Sequence, residues 1–137
     1  MRDTNFIFHD GTTFTSTITP NSTTRSGGSA VLDVGKSGAN GLWVTLSNKA
    51  LMTGTTPTVD AKVQYSNSAT FASGVETGPS FPQITGTTVA GYRRSLLCQS
   101  PLRYWRAVLT CGGTVTATSM EVYIASGPQR DDVSGAG

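Results

Sequence analysis

The sequence predicts an all-β protein, an antiparallel β-sandwich of jelly-roll-like form with an N-terminal arm. Three observations carry that expectation. From Val59 to Ser66 apolar and polar residues alternate without a fault, as in an extended strand with one face on a core and the other in water. Glycine and proline recur from Gly35 through Gly54, Pro57, Gly74, Pro79 and Gly86 to Pro101, and the runs between them suit short strands. No segment longer than about ten residues combines a 3.6-residue apolar repeat with capping residues, so helix content is expected to be small.

Taken in order, residues 1–28 read as an arm and linker. Phe6, Phe8 and Phe14 are followed by a Thr/Ser-rich stretch ending in Ser26-Gly27-Gly28. Phe6 and Phe8 alternate around Ile7 and suit a strand, which this close to a terminus needs a surface to dock on. Two surfaces are open to it, a neighbouring molecule or an edge of its own sandwich. Residues 29–125 read as the sandwich. Ala30, Leu32 and Val34 point inward around Asp33, and Leu42, Val44 and Leu46 point inward with Trp43 and Thr45 on the opposite face. Between Arg103 and Cys111 the inward set is Trp105, Ala107, Leu109 and Cys111, leaving Tyr104 and Arg106 outward. Cys111-Gly112-Gly113-Thr114 reads as a turn, after which Met120, Val122 and Ile124 face inward with Glu121 and Tyr123 outward. Residues 126–137 are polar and glycine-containing and are expected to form a flexible tail.

Composition narrows the function. A chain of 137 residues suits one domain, and a formal charge of +2 from 10 basic and 8 acidic side chains forms no block that specifies nucleic acid or membrane. No apolar run approaches the roughly 18 residues of a membrane span, and the N-terminus lacks a secretion signal, so a soluble protein made inside the cell is expected. The single histidine, His9, lies beside Asp10 and reads as part of a surface pair, so no base stands ready for a serine or cysteine nucleophile. Cys98 and Cys111 are too few for a disulfide framework and lack metal-ligand spacing. They are expected as free, half-buried thiols, and a bridge would require Cα atoms within about 7 Å. Glu76, Glu121, Asp33 and Asp60 read as solubilising residues rather than a glycosidase pair. Gly35-Lys36-Ser37-Gly38 is an incomplete phosphate loop, because Ala30 stands where its first glycine belongs. The clusters Tyr92-Arg93-Arg94 and Arg103-Tyr104-Trp105-Arg106 carry the ingredients of a single-strand nucleic-acid site, but Trp105 is better read as core and the arginines as outward. The expectation is a binding protein with no enzymatic activity, no cofactor or metal, and no nucleic-acid or membrane partner.

Several phrases in order carry a family resemblance: Leu32-Asp33-Val34-Gly35, Gly41-Leu42-Trp43-Val44, Val63-Gln64-Tyr65-Ser66 with Asn67-Ser68-Ala69-Thr70-Phe71, and Arg103-Tyr104-Trp105-Arg106 leading through Cys111-Gly112-Gly113-Thr114 to a final apolar strand. From Val31 to Ile124 the chain resembles the Bbp16-like capsid cement (decoration) family of tailed bacteriophages. The resemblance implies a structural virion protein that binds the outer surface of the head as a homo-oligomer, a dimer or trimer, and clamps neighbouring major capsid subunits. Under that implication Phe6, Phe8 and Phe14 of the arm are the first candidates for the protein interface. Outward Trp43, Tyr104, Arg106 and Tyr123 follow, because aromatic residues and arginine dominate binding energy at protein contacts. The other readings are a carbohydrate- or receptor-binding module, with Trp43 or Tyr104 stacked on a sugar, and a tail or neck component of the same virion.

Overall fold

The computed structural model describes residues 6–125, so the tail expected at 126–137 lies outside the described residues. Among the described residues nine strands follow one another: β1 (Ile7–Asp10), β2 (Leu32–Asp33), β3 (Leu42–Asn48), β4 (Thr53–Ser66), β5 (Glu76–Ser80), β6 (Ile84–Thr85), β7 (Arg93–Cys98), β8 (Tyr104–Ala117) and β9 (Met120–Ala125). A 3-10 turn spans Ser37–Asn40. One sheet has the order β1-β9-β3-β7 and the other β2-β8-β4-β5, with β6 also on β4. All named pairings are antiparallel, and they nest: β1 with β9, β2 with β8, β3 with β7, β4 with β5. A chain paired end to end in this way and wrapped across two sheets is a jelly roll, as the sequence predicts.

Alternation decides which side of each strand meets the core. Along β4, Val59, Ala61, Val63 and Tyr65 are buried while Asp60 is exposed. Opposite them on β8 stand Cys111, Leu109, Ala107 and Trp105, in register over Val59–Tyr65. Val44, Leu46, Met120 and Val122 of the other sheet close the same core. At its centre Trp105 is completely buried, edge-on to Tyr65 at 4.7 Å between ring centroids, and its Nε1–H donates to the Leu102 carbonyl at 3.0 Å. That bond matters because an indole N–H taken from water without an acceptor costs about 1–3 kcal/mol. Gly38 lies against the indole so closely that a Cβ there would come within 2.2 Å of Trp105 Cζ2 and 2.8 Å of the Ser100 carbonyl.

The glycine pair after Cys111 does not make the expected turn. β8 continues to Ala117, and the reversal into β9 falls at Thr118–Ser119. The pairing of β4 with β8 shifts register between Thr55 and Thr58, opposite these glycines. Gly113 takes φ of +63°, where a Cβ would strike the Thr56 carbonyl at 2.2 Å, so the pair bends a long strand through a bulge instead of ending it.

Part of the segment read as an arm is built into the roll. β1 pairs with β9, and its register shifts between Ile7 and His9. That irregularity breaks strict alternation, and Ile7, Phe8 and His9 are all buried. Further on, Phe14 exchanges backbone hydrogen bonds with Thr118 at 3.1 and 3.2 Å, and Ile18 does so with Leu109 at 2.9 and 3.0 Å. Phe8 and Phe14 therefore join their own core, which corrects the expectation that they reach a neighbour. The nested pairing is the reason, since β9 has β3 on one side and needs the first strand on the other.

Two substitutions test this packing by denaturant unfolding. Phe8→Ala is expected to lower stability by about 3–5 kcal/mol, the cost of a vacated aromatic core site, and a change within about 0.5 kcal/mol would show that β1 is not part of the cooperative fold. Gly38→Ala should cost about 1–3 kcal/mol by pressing on Trp105, and a neutral result would contradict the close approach.

Candidate partner-binding surface

Placing the reactive side chains shows what each is engaged in. His9 is not on the surface, as the sequence suggested, but fully buried. Its Nε2 lies 2.8 Å from the Thr12 carbonyl and its Nδ1 2.5 Å from Ser29 Oγ, and burial lowers its pKa below the ordinary value. The pairing of β1 carries it inward, an effect that the neighbouring Asp10 concealed in the sequence. Cys98 and Cys111 are free thiols, as expected. Cys98 has no exposure, and burial pushes its pKa up to about 11; burial raises that of Cys111 as well. Asp33 takes the Arg103 guanidinium on both carboxylate oxygens at 3.0 and 2.8 Å, Glu121 meets Lys49 at 3.2 Å, and Asp60 accepts from Gln83 at 3.1 Å. Among the described residues no three histidine, cysteine or acidic side chains stand together as a metal site, and no helix is long and apolar enough to cross a membrane.

The remaining interface candidates separate by exposure. Tyr123 is buried, which corrects its place among them: β9 is an interior strand, with Ile7 beside Tyr123 on β1 and Thr45 beside it on β3. Arg106 is committed within the molecule. Its Nε and Nη2 donate to Gln64 Oε1 at 3.0 and 2.7 Å, its Nη1 donates to the Pro20 carbonyl at 2.9 Å, and the guanidinium lies 4.2 Å from the centre of the Phe71 ring. It is a brace for the 15–29 segment rather than a free anchor. Tyr104 is half-buried, with the Arg103 guanidinium 5.0 Å from its ring centre.

Trp43 and Phe6 are the two candidates that share an accessible apolar region. Trp43 is half-buried on the outer face of the four-stranded sheet, because Val44 and Leu46 take the inner face. Across the strands it stands directly between Leu97 on β7 and Ala125 on β9. Cross-strand neighbours in such a row have Cβ atoms about 4.5–5.5 Å apart, so these three side chains form one apolar strip. Leu97 is 52% exposed. At the adjoining end of the sandwich, Phe6 (47% exposed), Val34, Leu42, Ile124 and Ala125 line an open cleft of about 560 Å³ rimmed by Asp33 and Ser37. Ala125 belongs to both strip and cleft.

Leu97, Leu42, Ile124 and Ala125 were not foreseen as surface residues. Arg93-Arg94-Ser95-Leu96-Leu97-Cys98 has no clean alternation from which Leu97 can be assigned outward, and only its register with Trp43 does so. Leu42 and Ile124 do face inward as expected, but at the mouth of the sandwich where the core runs out. Comparison with protein-family models and with curated proteins finds no match to the chain.

Thiol labelling tests the burial pattern. At about pH 8 the native protein should label at Cys111 more slowly than a free thiol and leave Cys98 unreacted, and denaturant should release both. Rapid labelling of native Cys98 would contradict the sealed core.

Proposed function

We propose that the chain is a capsid cement (decoration) protein of a tailed bacteriophage, made in the host cytoplasm and bound as a homo-oligomer to the outer surface of the head, where it clamps neighbouring major capsid subunits. The observation that carries this reading is the apolar strip of Trp43, Leu97 and Ala125 running into the Phe6 cleft. A tryptophan flanked by aliphatic side chains is the composition of a protein-contact hot spot, worth about 2 kcal/mol or more when desolvated at the centre of an interface. The partner class, a major capsid protein, comes from the sequence resemblance.

The strip also weighs against sugar binding. A sugar-stacking ring needs hydrogen-bonding groups beside it, and the cross-strand neighbours of Trp43 are leucine and alanine. Tyr104 already has a guanidinium near its ring. No comparable feature favours a tail or neck position.

Cosedimentation with purified tailless heads lacking this protein provides the test. The native protein should pellet with heads, and Leu97→Asp should weaken binding more than tenfold, about 1.4 kcal/mol, with unchanged thermal unfolding. Native protein left in the supernatant, or Leu97→Asp binding as well as native, would overturn the proposal.

A further inference from the structure

We propose that His9 is an acid-released latch, whose neutral imidazole fastens β1 to residues 28–30 and whose protonation lets the two strands of this clasp part. The inference does not depend on what the sandwich binds. The clasp is made of a few bonds around one ring. Asp10 N donates to the Gly28 carbonyl at 3.0 Å and Ala30 N to the Phe8 carbonyl at 3.1 Å. Arg25 straddles the same seam, with Nη1 donating to the Gly28 carbonyl at 2.7 Å and Nη2 to the Ile7 carbonyl at 2.6 Å. Between them sits the imidazole, fully buried and edge-on to Phe14 at 5.1 Å.

The partners fix the tautomer of the neutral ring. The Thr12 carbonyl can only accept, so Nε2 carries the hydrogen. In the neutral ring Nδ1 is then an acceptor, and the Ser29 hydroxyl donates to it. A second ring proton reverses that bond, with Ser29 Oγ now accepting from Nδ1, and leaves a charge in the interior between two uncharged oxygens.

The surrounding charges act in both directions. Asp10, the adjacent residue, favours the imidazolium, yet its Oδ1 is already held by Thr12 N at 3.0 Å and Thr12 Oγ1 at 2.6 Å. Arg25 opposes it, as does burial, which is the largest influence on the ring. On β9, Glu121 lies beside Asp10 in register and meets Lys49 at 3.2 Å. The bridges to this segment come through Leu109 on β8 and Thr118 just past its end, both uncharged. β1 is a short edge strand with an irregular register, the kind of element that opens locally before the rest of a domain. Phe6 continues directly from β1, so an opened clasp moves one wall of the apolar cleft with it.

The sign follows from linkage. The closed state holds the histidine pKa below the ordinary value of about 6.5, while an opened state restores it. The clasp is therefore intact above about pH 6.5, and its opening equilibrium rises up to tenfold per pH unit as pH falls from there towards the closed-state pKa.

His9 is the one histidine in the chain, so its ring signal titrates without ambiguity in an NMR experiment on the full-length protein. Amide exchange, corrected for its intrinsic pH dependence, is read alongside at Asp10 and Ala30, with Val44 and Val63 as core references. The expected result is a ring pKa below about 6.5, and opening at Asp10 and Ala30 that increases on acidification while the core amides stay protected. His9→Gln should abolish that pH dependence. A ring pKa at or above the ordinary value, clasp opening unchanged by pH, core amides opening in parallel, or a pH dependence retained in His9→Gln would each overturn the latch. The native titration and exchange decide the matter even if the variant does not fold.

Discussion

The burial of Trp105 is the constraint on which the rest of the molecule depends. A ring of that size, wholly removed from water, needs apolar surface on every side and an acceptor for its N–H. β4 supplies Tyr65, the 3-10 turn supplies the bare backbone of Gly38, and Leu102 supplies the carbonyl. None of these is near Trp105 by simple sequence adjacency except Leu102. Enclosing the ring therefore brings together β4, the turn before β3 and the start of β8. The nested antiparallel pairing accomplishes this, and it also places the first strand beside the last.

Completing that wrap consumes most of the apolar side chains and decides what is left outside. Phe8 and Phe14 fill the core under β1 and the following loop, and the outer face of the four-stranded sheet is closed in its middle, where Thr45, Ser47 and Tyr123 are shielded. Besides the separately exposed Leu51, Val75 and Val89, what remains is the end at which β3 begins and β7 and β9 finish. There Trp43, Leu97 and Ala125 stand in a row above a mouth framed by Phe6, Leu42 and Ile124. A strip of this size gives a modest contact by itself. In the proposed homo-oligomer on a capsid lattice, linked copies make later contacts intramolecular and raise avidity by about 10² to 10⁴.

Much of the fold was legible because strand alternation is a local signal. Val59–Ser66 declares its two faces outright, and Trp105, Ala107 and Leu109 follow once Arg106 is turned outward. The glycines after Cys111 were misread because a bulge and a turn use the same residues, and only the matching irregularity in β4 distinguishes them. His9 and Tyr123 were misplaced for a related reason. Outward parity in a strand is not exposure when neighbours on both sides cover the position, and the irregular register in β1 removes parity as a guide. The candidate surface was half legible. Trp43 and Phe6 announce themselves as aromatic residues outside the core pattern, whereas Leu97 acquires meaning only from its partner across β3.

The central claim is that this jelly roll grips a capsid through the strip at the mouth of its sandwich. Cryo-electron microscopy of heads decorated with the protein tests it most directly. The account predicts density for the roll on the outer surface of the head, with Trp43 and Leu97 packed against a major capsid subunit. Density in which that strip faces solvent, or heads that carry no such density, would contradict it.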